Sequence, residues 1–194
     1  MDTILKNISK IRVVVDIETL GRNPGCVITE IAASACDQDF QEIEAFAEHL
    51  EVDTQVMLGM EICEEAHKWR NDNNLPYRLF DAHNPLEVLS AFGCWLRKLA
   101  YENEIDVSRF EFWCQGTDFD RPCIDALYTS LNSTPPWKYY QWNDCRTACN
   151  LAGVKRQGAV MHTALADARQ QANVMKLVLN RVKNVSIGGK VAVA

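Results

Sequence analysis

The feature that most constrains this chain is a β-branched run that ends in two acidic residues. Residues 11–17 predict a buried strand, because they include three consecutive valines and no glycine or proline. Asp16 and Glu18 stand two positions apart at its end, and alternate residues of a strand project from the same face. Two like charges that meet there repel each other unless a cation binds between them or one is protonated. The run therefore favours a strand end that holds a divalent cation.

Hydrophobic periodicity over the rest of the chain predicts a mixed sheet flanked by helices. The first three strands follow one another through short connections, which is typical of an antiparallel start, and helices then alternate with strands. The predicted strands after the first are 26–36, 44–52, 110–114 and 139–142, and the predicted helices are 85–100, 122–131 and 164–183.

Length and composition are those of one compact domain. The chain has 194 residues, 47% of them hydrophobic and 24% charged, so we expect one domain over residues 1–185 and a disordered tail over 186–194. No apolar segment approaches about 18 residues without a charge, and the start of the chain lacks the pattern of a secretory signal. We therefore expect a cytoplasmic protein that is not secreted and has no membrane partner.

The eight cysteines favour reduced core thiols over a disulfide scaffold. They lie within apolar or helical patterns, and a chain of 194 residues does not need disulfides to complete its core. No pair has C-x-x-C spacing, which argues against a structural zinc site.

Charge is distributed unevenly along the chain. The net charge is −6, yet residues 146–194 contain eight Lys or Arg against one acid, Asp167, which is about +7. Residues 1–145 then hold 12 basic and 25 acidic residues, about −13. The basic last quarter is compatible with a surface that faces phosphates, and also with an ordinary solvated helix face.

Two further segments supply acidic residues. A two-metal phosphoryl-transfer site needs about four carboxylates from different elements. Asp120 stands two residues before Pro122, so it is either the N-cap of a helix or a ligand, and Asp118 could compete for that role. Asp167 lies early in the last predicted helix, five residues after His162. A histidine there is either a packing or capping residue or a base that reaches over a metal site.

Three motifs stand in order along the chain: DIET at 16–19, the strand that leads into FD at 119–120, and H-x-x-x-x-D at 162–167. Together they resemble the motifs of the DEDD superfamily of 3′-to-5′ exonucleases, in its histidine-bearing DEDDh branch. WCQGTDFDRPCI and WNDCRT resemble the phage exonuclease A group and the related Rv2179c-like exoribonuclease domains. The resemblance covers about residues 11–182. It implies an α/β protein with the RNase H-like fold, a mixed five-stranded sheet flanked by helices.

The resemblance also implies a role for each motif residue. Asp16, Glu18 and Asp167 would hold one Mg²⁺ or Mn²⁺, and Asp16 would bridge to a second ion, on which Asp120 acts through water. His162 would be the general base that takes a proton from the attacking water. The implied activity is two-metal-ion hydrolysis of single-stranded DNA or RNA from a free 3′ end, in the cytoplasm of a bacterium or a phage-infected cell.

Four residues are expected to bind substrate. Leu20 would pack against the terminal base, and ordinary core packing is the alternative. Trp69 would stack on a base, with a core position as its alternative. Thr19 and Phe119 complete the set.

The sequence is also compatible with a different activity on the same fold. The chain could be a non-catalytic nucleic-acid-binding module, or an oligonucleotide or nucleotide phosphohydrolase. Some relatives are dimers, so a homodimer is also open. Asp144 and Arg146 are expected to form a local cap and ion pair outside the catalytic set. Asp118 stands where relatives often carry a small neutral residue, and it adds negative charge beside Asp120.

Overall fold

The computed structural model describes residues 8–75, 81–155 and 161–188, with the side chains of 185–188 left out. The strands are β1 (Arg12–Thr19), β2 (Ile28–Cys36), β3 (Glu42–His49), β4 (Glu111–Cys114) and β5 (Trp142–Asp144). The helices are α1 (Val52–Met57), α2 (Glu64–Asp72), α3 (Pro85–Glu102), α4 (Asp120–Ser130), α5 (Cys145–Ala152) and α6 (Ala164–Gly188).

The strands form one mixed sheet in the order β3-β2-β1-β4-β5. β1, β2 and β3 pair antiparallel, while β4 pairs parallel with both β1 and β5. This confirms the predicted five-stranded mixed sheet with an antiparallel start. Because β1, β4 and β5 run in the same direction, their carboxyl ends meet at one edge of the sheet. Asp16 and Glu18, at the end of β1, and Asp120, after β4, lie toward that edge.

Helices cover both faces of the sheet. Phe92 and Leu96 of α3 and Ile124 of α4 belong to the cluster on one face. Val14 of β1 packs with Met175 of α6 on the other. All nine residues of β2 are buried, as expected for a strand covered on both sides. Since side chains alternate along β1, every second residue of this strand faces α6.

Several parts of the chain differ from the sequence prediction. The hydrophobic pattern predicts none of α1, α2 and α5; α2 in particular consists almost wholly of polar residues and has no apolar stripe. The predicted strand over 139–142 is wrong, because Tyr139–Gln141 is a 3₁₀ turn and the strand begins at Trp142. The amide of Gln141 holds that turn by donating to the carbonyl oxygens of Val107 and Phe110, at 2.9 and 3.0 Å.

The last helix extends past the predicted boundary at residue 185. α6 is 25 residues long and ends at Gly188, so residues 186–188 of the predicted tail are helical. Residues 189–194 lie outside the described part of the chain. Within that part, no helix combines the length and apolar character that crossing a membrane requires.

Candidate active site

Three carboxylates meet at the carboxyl end of β1. Asp16 and Glu18 lie on the same face of the strand as Val14, which packs against α6, and Asp167 lies in the first turn of that helix. One oxygen from each of the three carboxylates lies within 4.8 Å of the others. The structure therefore brings these predicted residues together, and we call them the carboxylate cluster.

The position of α6 is fixed from the sheet. The carboxylate of Glu30, in β2, accepts the backbone N–H of Ala164 at 3.1 Å, at the first residue of the helix. Further along, Arg169 forms a two-pronged ion pair with Glu42 of β3, with both N–O distances at 2.9 Å. These contacts hold Asp167 against the end of β1.

Asp120 approaches the cluster from another element. It is the first residue of α4, and its side chain contributes to the same cavity, of about 370 Å³, as the carboxylate cluster. The N-cap interpretation of Asp120 is wrong, because Phe119 occupies the cap position and no side chain caps this helix end. Phe119 and Asp118 line the same cavity, and Asp118 is exposed.

Burial makes ionisation of Asp16, Glu18 and Asp120 unfavourable. Burial, followed by repulsion from Asp120, Asp167 and Glu18, raises the pKa of Asp16 well above its ordinary value. Burial raises the pKa of Asp120 to about 7 and also raises the pKa of Glu18. Buried carboxylate oxygens whose charge is only partly compensated are the donor set that a hard divalent cation prefers. The residues present thus fit a bound Mg²⁺ or Mn²⁺.

Two polar side chains hold the cluster in place. The amide of Gln171 donates to Asp16 Oδ1 at 2.6 Å, and its own Oε1 is buried without a hydrogen-bond partner among the described residues. Arg70, on α2, forms an ion pair with Glu18 Oε2 at 2.5 Å, with both side chains largely buried. This pairing lowers the pKa of Glu18 and partly offsets its burial.

Sequence analysis missed both supporting residues. Gln171 lies four residues after Asp167, so helical periodicity places it on the same face, and that spacing could have identified it. Arg70 lies in a polar helix whose pattern gives no sign of a buried ion pair. Only the packing of α2 reveals its partner.

His162 lies in the turn immediately before α6. Its backbone has a φ of 55°, in the left-handed region that a residue with a side chain rarely adopts. The carboxylate of Asp167 holds this turn by accepting the backbone N–H groups of Met161 and His162, at 3.2 and 3.0 Å. The imidazole ring contacts Trp69 edge-on, with centroids 5.2 Å apart. Asp167 therefore belongs to the carboxylate cluster and also holds the turn that carries His162.

A second cavity, of about 220 Å³, lies on the other side of Glu18. Thr19, Trp69 and Arg70 contribute to its lining. Trp69 is 46% exposed, so the core alternative for this residue is excluded. Leu20 is fully buried in the main core, which corrects its predicted contact with the terminal base in favour of core packing.

The predicted cap at Asp144 is present. Its carboxylate accepts the backbone N–H of Thr147, in the first turn of α5, at 2.6 Å. It also accepts the backbone N–H of Thr117 at 3.2 Å, which ties the start of α5 to the loop after β4. Arg146 forms no close ion pair with Asp144 among the described contacts, but its charge still interacts with that carboxylate. Arg146 also lines the larger cavity.

The acids make the stability of the metal-free protein sensitive to pH. The pKa of Asp120 is about 7 in the folded chain, against about 3.9 for an unfolded aspartate. A raised pKa gives stability that is complete below the unfolded value and is lost as pH rises through the folded value. We expect the free energy of unfolding in EDTA to fall between pH 5 and pH 8, by about 3 kcal/mol.

Denaturant unfolding at a series of pH values measures this effect. Asp120→Asn provides the control, because it removes a carboxyl group whose pKa is raised. The free energy of unfolding should then depend less on pH. A stability that stays level or increases from pH 5 to pH 8 would contradict the prediction.

The chain matches one known protein family. The model of the 3′–5′ exoribonuclease Rv2179c-like domain matches residues 11–179, and it corresponds to the second of the two groups that the sequence resembles. No curated protein matches the chain significantly.

Solved structures share the fold at low sequence identity. The nuclease domain of 3′hExo, a DEDDh family member bound to rAMP, is 12% identical, with a TM-score of 0.59 over 88% of this chain and 92% of that chain. Pop2p of S. pombe, bound to Mg²⁺ and Mn²⁺, is 10% identical, with a TM-score of 0.55 over 89% and 84%.

E. coli ExoI in complex with single-stranded DNA is 16% identical, with a TM-score of 0.58 over 91% of this chain and 42% of that chain. The chain therefore spans less than half the length of ExoI. At such identities the likeness establishes the RNase H-like fold of the DEDDh exonucleases. Because the family model covers most of its length, the chain belongs to the Rv2179c-like 3′–5′ exoribonuclease domain family and is a 3′-to-5′ exonuclease.

Proposed function

We propose that this exonuclease shortens single-stranded RNA or DNA from a free 3′ end with the help of two divalent cations, Mg²⁺ or Mn²⁺. The observation that carries the proposal is the carboxylate cluster, whose oxygens lie within 4.8 Å of one another. Asp16, Glu18 and Asp167 would hold one cation. Asp16 and Asp120, which line the same cavity, would hold the other.

Bound cations would lower the pKa of the attacking water and neutralise the charge that develops on the phosphate. The protein's own groups do the remaining work. Gln171 orients Asp16, and Arg70 pairs with Glu18 and favours its ionised form. His162 would accept the proton of the attacking water. Its turn is held by Asp167, so the base and a metal ligand are positioned together.

The second cavity supports a substrate with an unpaired 3′ end. Trp69 is exposed there beside Thr19, where it could stack on the terminal base. Stacking on an aromatic ring tolerates any base but needs that base to be free of a partner strand. The 3′hExo complex with rAMP and the ExoI complex with single-stranded DNA are in keeping with such a ligand.

We also propose that the protein acts in the cytoplasm as one catalytic domain. All eight cysteines are free, including the buried pair Cys26 and Cys123, whose sulfur atoms lie 4.0 Å apart. Free thiols this close are in keeping with a reducing compartment. The homodimer stays a prediction, and light scattering of the purified protein tests it.

The decisive experiment is digestion of 5′-labelled single-stranded RNA and DNA of the same sequence. We expect a ladder of shortened 5′-labelled products with Mg²⁺ or Mn²⁺ and none with EDTA. A 3′-phosphate-blocked oligonucleotide is the matched control, because it removes the free 3′ hydroxyl and should resist trimming. Binding without cleavage under every metal would instead favour a non-catalytic module.

Divalent cations are expected to stabilise the folded protein. A ligand at about 100 times its Kd adds about 2.7 kcal/mol, which for a chain of this size raises the Tm by about 5–10 °C. Thermal unfolding with Mn²⁺ and with EDTA measures the shift. Asp167→Asn should lose it and Asp118→Asn should keep it, whereas an equal shift in both variants would contradict a site at the carboxylate cluster.

A further inference from the structure

The larger cavity is strongly acidic. Five carboxylates contribute to its lining, and Arg146 is the one lysine or arginine among the described residues that do so. A nucleic acid strand is a polyanion, and an acidic cavity repels it. Cations at the carboxylate cluster would compensate only the charge close to them. Outside the cluster, Arg146 is therefore the basic side chain that would attract the strand among the described residues of this cavity.

The backbone that carries Arg146 is held firmly. Arg146 lies in the first turn of α5, whose start is capped by Asp144. Through its second oxygen, Asp144 also binds the backbone N–H of Thr117 at 3.2 Å. The arginine is thereby tied to the loop that leads from β4 to Asp120.

The guanidinium lies over Gly116. A Cβ atom added at Gly116 would stand 3.5 Å from Arg146 Nη2 and 2.9 Å from Asp118 Oδ1. The absence of a side chain at Gly116 therefore leaves room for both groups at the mouth of the cavity. Arg146 is exposed, and within the described part of the chain its guanidinium makes no hydrogen bond or close ion pair, although its charge interacts with the Asp144 carboxylate. Its five N–H donors are available to a ligand.

The two cavities define a path for the strand. Both include Ile17 and Glu18 in their lining, and Asp16 and Asp167 line the larger one, so the carboxylate cluster lies on the Arg146 side and borders the Trp69 side at Glu18. In the proposed function the terminal nucleotide occupies the Trp69 side and the cleaved phosphate lies at the cluster. The rest of the strand then leaves through the larger cavity, past Arg146.

We propose that Arg146 binds the phosphate immediately 5′ to the one that is cleaved. This inference rests on the proposed exonuclease function and names a contact to its substrate. A planar guanidinium presents paired N–H donors to two phosphate oxygens, a geometry that an ammonium group does not reproduce.

Substrate length provides the first test. A dinucleotide has only the phosphate to be cleaved, whereas a pentanucleotide also has the phosphate assigned to Arg146. Arg146→Ala should raise the KM for the pentanucleotide about 10- to 100-fold and change that for the dinucleotide less than twofold. Arg146→Lys should recover part of the loss. Arg109→Ala is the matched control, because Arg109 is an exposed arginine just before β4, at the opposite end of that strand from Gly116.

Binding provides a second readout that does not need cleavage. In an Asp16→Asn background with Mg²⁺, fluorescence anisotropy of a labelled pentanucleotide gives the Kd at several KCl concentrations. Loss of one contact to a single-stranded phosphate should reduce the slope of log Kd against log salt by about 0.7. The Arg109→Ala protein should keep the full slope.

Each outcome decides the proposal. Equal behaviour of Arg146→Ala and Arg109→Ala in both assays would overturn it. An equal loss on the dinucleotide would also overturn it, because it would assign Arg146 to the cleaved phosphate. If the parent protein cleaves nothing, the proposed function fails, and the salt slope still tests the arginine. An unchanged Tm and an unchanged stabilisation by Mn²⁺ show that the fold and the metal site are intact.

Discussion

Replacing Asp16 with asparagine is expected to abolish cleavage and, at the same time, to stabilise the metal-free protein. In the proposed function Asp16 would hold both cations, so its loss should remove several kcal/mol of transition-state stabilisation, a fall in rate of at least about 10³-fold. The same carboxylate is buried, and repulsion from Asp120, Asp167 and Glu18 helps to raise its pKa. Asparagine removes that unfavourable charge and can still accept the 2.6 Å hydrogen bond from Gln171.

The sign of the stability change follows from the raised pKa. Ionising Asp16 costs more in the folded chain than in the unfolded chain, so the cost is larger at pH 8 than at pH 5. We expect Asp16→Asn to raise the Tm in EDTA by about 3–6 °C at pH 8 and by less at pH 5.

Asp118→Asn is the matched control, because Asp118 lines the same cavity but lies outside the carboxylate cluster. It should retain cleavage within a few-fold. The prediction would be contradicted if the Asp16→Asn protein were inactive and also had a lower Tm than the parent protein. Paired measurements of rate and Tm distinguish the two cases.

Replacing His162 with alanine is expected to lower the cleavage rate about 10²- to 10⁴-fold while leaving metal binding intact. His162 is not a member of the carboxylate cluster, although its side chain interacts electrostatically with Glu18. The contact that anchors its turn is the backbone N–H bond to Asp167, which alanine keeps. Steady-state kinetics with a 5′-labelled oligonucleotide measures the loss. The Mn²⁺-induced rise in Tm should match that of the parent protein.

His83→Ala is the control, because His83 is an exposed histidine whose nearest acidic partner, Glu48, lies 3.6 Å away in another part of the fold. It should cleave at the parent rate. An active His162→Ala protein would remove the histidine from the proton transfer. A variant that also loses the stabilisation by Mn²⁺ would point to a disturbed turn, since Asp167 holds both features. His162→Asn, which tolerates the left-handed backbone better than alanine, would then be compared with it.

The elements that sequence predicted well are those whose signals are local. Three consecutive valines and the spacing of Asp16 and Glu18 identify a strand and its acidic face through alternation alone. The spacing of His162 and Asp167 likewise marks the start of the last helix. Prediction failed where local pattern was weak. The polar helix α2 has no apolar stripe, and the turn at Tyr139–Gln141 is held by side-chain bonds from Gln141 to distant carbonyl groups.

Local sequence pattern was enough to predict the mixed sheet and the acids that meet at its edge. Which distant groups support those acids depends on how the folded chain packs. Arg70 and Glu18 are 52 positions apart, and Gln171 and Asp16 are 155 positions apart. Hydrophobic periodicity reports which face of an element is buried, but it contains no information about which distant polar group will face that element. For the same reason, the sequence could not predict that Arg146 lines the acidic cavity. That position depends on contact between the capped start of α5 and the loop after β4.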